Sequence, residues 1–231
     1  VAILDEANLP EGTDPNVGET TKTGSFSVVA QDGLRTLSVT ADSGTVNVVV
    51  NGVFVPGTSV IEEGVVEVTF DSISGPDATG TYTINVTATL LGDFQHTGAN
   101  AEQITLDFTV NMADAQGDSA SGTYSVTVID DVPVAANDGP ATVTEDGAGA
   151  ANTATTSTVS GDVLTNDSAG ADAPSVFTAW AADNAANIAA LNTYGTLTLN
   201  GDGTWSYALD NSRAATQALT ALHLFERDEH Y

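Results

Sequence analysis

The chain of 231 residues contains no cysteine, so disulfide bonds do not hold its fold together and size or bound metal must do so instead. Basic residues are almost missing as well. Lys22, Arg35, Arg213 and Arg227 stand against 31 acidic residues, for a formal net charge of −27. A surface this acidic repels phosphate backbones and anionic headgroups, whose binding depends on Lys and Arg, which excludes nucleic acid and membrane surfaces as partners. No apolar run is long enough to cross a bilayer. Val1 to Leu4 are followed at once by Asp5 and Glu6, unlike a signal peptide, and the chain is expected to be a piece of a longer protein. The only histidines are His96, His223 and His230, and nothing raises a Ser-His-Asp assembly above background. With so many acids, a pair suited to glycoside hydrolysis arises by chance. The chain reads as non-enzymatic.

What is present is strand periodicity. Residues 25–29 and 37–40 alternate, and 45–50, 65–70, 81–90, 104–111 and 122–129 are rich in Val, Ile, Thr, Phe and Tyr. Turn formers such as Asn51-Gly52 and Ser74-Gly75-Pro76-Asp77 separate them. Many short strands with turn signals between them predict an all-β fold, a β-sandwich. A boundary falls where Ile129 is followed by Asp130, Asp131, Val132 and Pro133, because proline cannot continue a ladder. Two domains are expected, 1–131 and 132–231. In the second, residues 141–144, 157–160, 176–179, 195–199 and 204–209 read as strands. Residues 181–191 read as a short helix or an irregular excursion, and 214–222 as one or two helical turns. Five strands fall short of the seven of an immunoglobulin-like sandwich, so this domain looks incomplete. Residues 223–231 show neither alternation nor β-branched residues.

The charge must be reconciled with folding, since neighbouring carboxylates repel and four cations cannot offset them. Calcium takes six to eight oxygen ligands and suits acids gathered in loops. In Asp114-Ala115-Gln116-Gly117-Asp118 two carboxylates stand four residues apart around a glycine, which reads either as a calcium loop or as an ordinary Asp/Gly hairpin turn. Asp130 and Asp131 are adjacent, with Asn137 and Asp138 beyond them and Asp5 and Glu6 at the other end of the first domain. A shared divalent ion would turn their repulsion into attraction, while the alternative is a solvated acidic hinge. Glu145, Asp146, Asp162, Asp167 and Asp172 are further candidate ligands. Asn200-Gly201-Asp202-Gly203 reads as a tight hairpin turn. Trp205 and Tyr207 share a strand face and read as core, and Trp180 reads as the exposed aromatic on which a glycan site would rest.

Several segments carry a resemblance to a known family. Asn137-Asp138-Gly139, Thr144-Glu145-Asp146, Gly161-Asp162-Val163-Leu164-Thr165-Asn166-Asp167 and the run from Gly195 to Tyr207 resemble a VCBS repeat, a cadherin-like or immunoglobulin-like module of large RTX adhesins. Leu4-Asp5-Glu6, Leu106-Asp107-Phe108-Thr109-Val110 and Val126-Thr127-Val128-Ile129-Asp130-Asp131 resemble the repeats of about 140 residues in the same type I-secreted proteins. The resemblance implies two sandwiches in series, stiffened by Ca2+ at Asp130, Asp131, Asn137 and Asp138. It also implies a role as a spacer in a secreted bacterial cell-surface or biofilm adhesin, with neighbouring repeats of the same chain as partners. It departs from the family after Gln217-Ala218-Leu219, where two closing strands are expected and residues 223–231 stand instead. Strand donation from elsewhere would then cover the open edge. The alternative function is a glycan- or peptide-binding module of the same kind of surface protein.

Overall fold

The computed structural model describes residues 1–94, 103–145, 157–171, 176–218 and 222–224, with the backbone alone at 183 and 222–224. The fold is all-β. Contacts divide it into two compact units: Val1–Val132 with Ala169–Ala173, and Pro133–Ser168 with Pro174–Tyr231.

The first unit is built from β1 (Ala2–Asp5), β2 (Thr21–Val29), β3 (Leu34–Ala41), β4 (Gly44–Val50) and β5 (Val53–Phe54), followed by β6 (Ser59–Glu62), β7 (Val66–Ser74), β8 (Thr81–Leu90), β9 (Gln103–Asp114) and β10 (Ser119–Ile129). One sheet has the order β1-β10-β9-β3-β4-β5 and the other β2-β8-β7-β6. Strand β1 runs parallel to β10, in the register Ala2↔Val126 to Asp5↔Ile129, and the other pairings in this unit are antiparallel. Placing β3, β9 and β10 in one sheet and β2, β8 and β7 in the other is the immunoglobulin-like arrangement.

The period of two explains the core. Along β8, Ile84, Val86, Ala88 and Leu90 point inward and are buried, while Thr83, Asn85, Thr87 and Thr89 point outward. Leu4, Leu37, Val39, Val68, Phe70, Phe108, Val126 and Val128 from both sheets complete a single apolar layer. Each such side chain contributes about 1.5–3 kcal/mol on burial. Tyr124 on β10 lies among Phe26 and Phe108, with ring centroids 5.5 and 6.3 Å away. Its hydroxyl sits over Gly24 of β2, where a Cβ would come within 2.6 Å of the oxygen. Asn51 and Gly52, with φ of 49° and 80°, form the left-handed pair that a two-residue hairpin between β4 and β5 requires.

The second unit holds β11 (Ala141–Val143), β12 (Thr158–Asp162), α1 (Ala185–Tyr194), β13 (Gly195–Leu199), β14 (Thr204–Leu209), α2 (Ala214–Gln217) and β15 (Leu222–Leu224). Strands β12-β14-β13 form an antiparallel sheet and β11 pairs with β15. The core consists of Val143, Val163, Trp205, Tyr207 and Leu209, with Phe177, Trp180, Leu191, Tyr194, Leu197 and Leu199 packed around them. Gly161 lies under the Trp205 indole, where a Cβ would meet the ring at 2.8–2.9 Å. The Tyr207 hydroxyl donates to the Leu191 carbonyl at the end of α1 (3.0 Å).

Two expectations are corrected here. Residues 176–179 are not a strand. Val176 is 78% exposed, while Phe177 and Trp180 turn onto the core three residues apart, a spacing that strand alternation does not give. Residues 222–224, read as the end of a helical turn and the start of an unpatterned tail, form β15. Three residues suffice to pair with β11 in the register Ala141↔Leu224, too few for any alternation to be visible.

Candidate functional site

The acids of the first unit gather at the end where β1 and β10 finish side by side. Asp5 caps the helical turn Glu6–Asn8, its Oδ1 accepting the Ala7 N–H at 3.0 Å. Glu6 follows, and its side chain is fully buried, with Oε1 accepting the Phe94 N–H at 2.6 Å. Just past the neighbouring strand, Asp130 and Asp131 are 9% and 3% exposed. The Asp131 carboxylate takes both donors of Thr13, the N–H at 2.8 Å and the hydroxyl at 2.5 Å. Gly170 lies against Asp131, and a Cβ there would stand 2.8 Å from the Asp131 carbonyl oxygen. The structure thus brings to one end acids that the sequence reading placed at opposite ends of the first domain, burying Glu6, Asp130 and Asp131 and engaging Asp5 locally.

Asp114 and Asp118 do not converge. Asp114 is buried at the head of the β9–β10 hairpin, and its Oδ1 accepts the N–H groups of Gln116, Gly117 and Asp118 at 2.8–2.9 Å, while Asp118 is exposed. The Asp114 carboxylate thus holds the turn of its own loop.

In the second unit the chain brings Asn137 and Asp138 to the loop after β12. Val134 and Ser168 exchange backbone hydrogen bonds at 2.9 Å, the Ala136 N–H donates to Asp167 Oδ1 (2.9 Å), and Asn166 Nδ2 donates to the Asn137 carbonyl (3.0 Å). Asp162 Oδ1 accepts the Leu164 N–H at 3.0 Å. Two groups that are separate in sequence therefore meet. Glu145 Oε1 accepts from Gln217 Nε2 at 3.0 Å, in α2. Asp146 and Asp172 lie outside the described residues, as do His96 and His230. Among the described residues no three acidic or histidine side chains form a group fit to hold a metal.

The acids share a habit that the sequence reading passed over. Asp77 Oδ1 accepts the N–H and hydroxyl of Thr79 (both 2.7 Å), Asp202 Oδ1 those of Thr204 (3.0 and 2.6 Å), and Asp210 Oδ1 those of Ser212 (3.0 and 2.6 Å). The hydroxyl bond is the largest cause holding each of these three carboxyls below the ordinary aspartate value, followed by backbone N–H groups. The signal was an Asp followed two residues later by Thr or Ser. Among the described residues, Lys22 pairs with Glu19 and Arg213 with Asp210 (3.0 Å). Backbone and hydroxyl dipoles thus engage many carboxylates that the charge balance alone left without partners.

Trp180, expected to be exposed, is partly buried. It lies 4.9 Å from the Phe177 ring and donates its indole N–H to the Asn200 carbonyl at 2.8 Å. Trp205 and Tyr207 are core, and Asp202-Gly203 turns the β13–β14 hairpin.

No protein-family model and no curated protein matches the chain. Among the described residues no helix is long and apolar enough to cross a membrane.

Proposed function

We propose that the chain is a structural spacer segment of a secreted bacterial cell-surface adhesin, stiffened by calcium and without catalytic activity. The observation that carries this reading is the burial of Glu6, Asp130 and Asp131 where two paired strands end, in a chain with only four basic residues. Buried carboxylates are costly unless hydrogen-bonded or neutralised. The donor set is all oxygen, which fits a hard divalent cation, although the described side chains do not assemble a complete ligand group. Glu6, Asp130 and Asp131 would hold the ion in the first unit, and Asn137, Asp138, Asp162 and Asp167 are the candidates in the second. Bound calcium would supply positive charge and fix the loops at which it sits. The immunoglobulin-like sandwich and the outward rows of Thr and Ser support a load-bearing rather than a catalytic part, with neighbouring repeats of the same chain as partners.

Sites of the extracellular class bind calcium with dissociation constants of about 0.1–1 mM. Adding millimolar calcium to the metal-free chain is therefore expected to raise its melting temperature, EDTA to reverse the rise, and Glu6→Gln with Asp130→Asn to blunt it. A melting temperature indifferent to both calcium and EDTA sinks the metal part of the reading. Antibody raised against this segment is expected to label intact cells that produce the protein, and labelling only after lysis would sink the surface part.

A further inference from the structure

We propose that Asn200 is a site of spontaneous deamidation, promoted by Trp180, whereas the fold protects the chain's other Asn-Gly pair. The pairs are Asn51-Gly52 and Asn200-Gly201, each in a hairpin turn with an exposed asparagine. Glycine has no side chain to keep its backbone nitrogen away from the preceding asparagine. The reaction needs that nitrogen as nucleophile. The Gly201 N–H gives its proton to water or hydroxide, and the nitrogen forms a bond to Asn200 Cγ. The Cγ–Nδ2 bond breaks and ammonia leaves with a proton. Water then opens the five-membered imide at one of its two ring C–N bonds, giving aspartate or isoaspartate. The net change is asparagine plus water to acid plus ammonia.

The two turns treat the nucleophile differently. Gly52 donates its N–H to the Arg35 carbonyl at 2.8 Å, so its nitrogen is engaged and its proton held. Gly201 donates no hydrogen bond among the described residues and is exposed. The carbonyl of the peptide bond joining Asn200 to Gly201 accepts the Trp180 indole N–H at 2.8 Å. When the Gly201 nitrogen loses its proton, negative charge spreads onto that carbonyl oxygen, and a donor already aimed at it stabilises the charge as an oxyanion hole does. The Asn200 side chain is restrained by one exposed bond, from Nδ2 to Thr204 Oγ1 (2.9 Å). Conversion removes that donor and sets a new carboxylate near Asp202, on the same turn.

The test is incubation of the full chain at mildly alkaline pH, with peptide mapping by mass spectrometry and isoaspartyl methyltransferase labelling at both positions. Asn200 is expected to convert and Asn51 to remain amide, while in urea the two convert at similar rates. Trp180→Phe keeps a ring against Phe177 and removes the donor, and it is expected to slow conversion at 200 roughly fivefold, the factor that one hydrogen bond corresponds to. Gly201→Ala is expected to slow it as well. A Cβ at 201 meets nothing within 4 Å, so that variant keeps the turn. Conversion of Asn51 as fast as Asn200 in the folded chain, no conversion at 200, or an unchanged rate in a folded Trp180→Phe chain overturns the proposal.

Discussion

Thr13 gives both its N–H and its hydroxyl to the carboxylate of Asp131, across 118 residues of sequence. The contact fastens the loop after β1 to the exit of β10, and it gives a buried carboxylate two donors where no lysine or arginine stands within salt-bridge distance among the described residues.

Thr13→Val deletes the hydroxyl donor, and Asp131→Ala deletes the acceptor. Hydrogen bonds to charged groups are worth about 1.5–3 kcal/mol, so each change is expected to lower the stability of the first unit by about that much in urea unfolding. The double variant is expected to lose less than the sum of the two. Strict additivity would show that the pair does not act as a unit.

A second prediction concerns Gly24 and Tyr124. The Tyr124 hydroxyl is buried and has no hydrogen-bond partner among the described residues, and a methyl group at 24 would come within 2.6 Å of it. Tyr124→Phe is therefore expected to be neutral or stabilising by about 1 kcal/mol. Gly24→Ala is expected to destabilise by about 1–3 kcal/mol, the usual cost of overpacking. In a chain that already carries Tyr124→Phe, the same Gly24→Ala change is expected to cost much less, because the nearest ring carbon lies 3.7 Å from the added methyl. Equal costs in the two backgrounds would place the strain elsewhere.

Stability is expected to fall at both ends of the pH scale. Asp77, Asp202 and Asp210 have folded pKa values below the ordinary 3.8, because hydroxyl and N–H donors favour their charged forms. Their contribution is present above the unfolded value and is lost as pH drops through the folded ones. Burial pushes Tyr124 above 10.0, and Tyr207 likewise against the opposing charge of Arg213. The neutral phenols are favoured in the fold, so stability is whole below 10.0 and is lost as pH rises through the raised values. Denaturation midpoints measured across pH are expected to show both limbs. The variant Asp202→Ala should flatten the acid one and Tyr124→Phe the alkaline one. An unchanged alkaline limb in Tyr124→Phe would mean that this phenol does not govern it.

The strands were legible where alternation ran long enough to repeat. Residues 81–90, 195–199 and 204–209 were read with the bounds that β8, β13 and β14 have. Strand β1 escaped because its four residues offer two inward positions, Ala2 and Leu4, and its partner is the last strand of the unit rather than a neighbour in sequence. The failed strand at 176–179 had the right residue types, but Phe177 and Trp180 are drawn to the core without a ladder to join. The acids were visible as carboxylates and nothing more. Sequence shows that Asp114 and Asp118 are four apart, but not that Asp114 turns its oxygen onto three backbone N–H groups of its own loop. Nor does it show Thr13 reaching Asp131, since no local period links positions so distant. The meeting of Asn137 with Asn166 is equally invisible until the Val134–Ser168 bridge closes the segment between them.

The parallel pairing of β1 with β10 has a mechanical meaning. The first and last strands of the unit lie side by side and run in the same direction, in register over four residues. Tension applied at Val1 and Val132 drags them past one another along their length. The evenly spaced bonds of a parallel pair then share the load at once, instead of opening one after another as they do in a hairpin pulled at its free ends. The four residues of β1 act as a shear latch, and sliding it open also drags Ala2 and Leu4 out of the core.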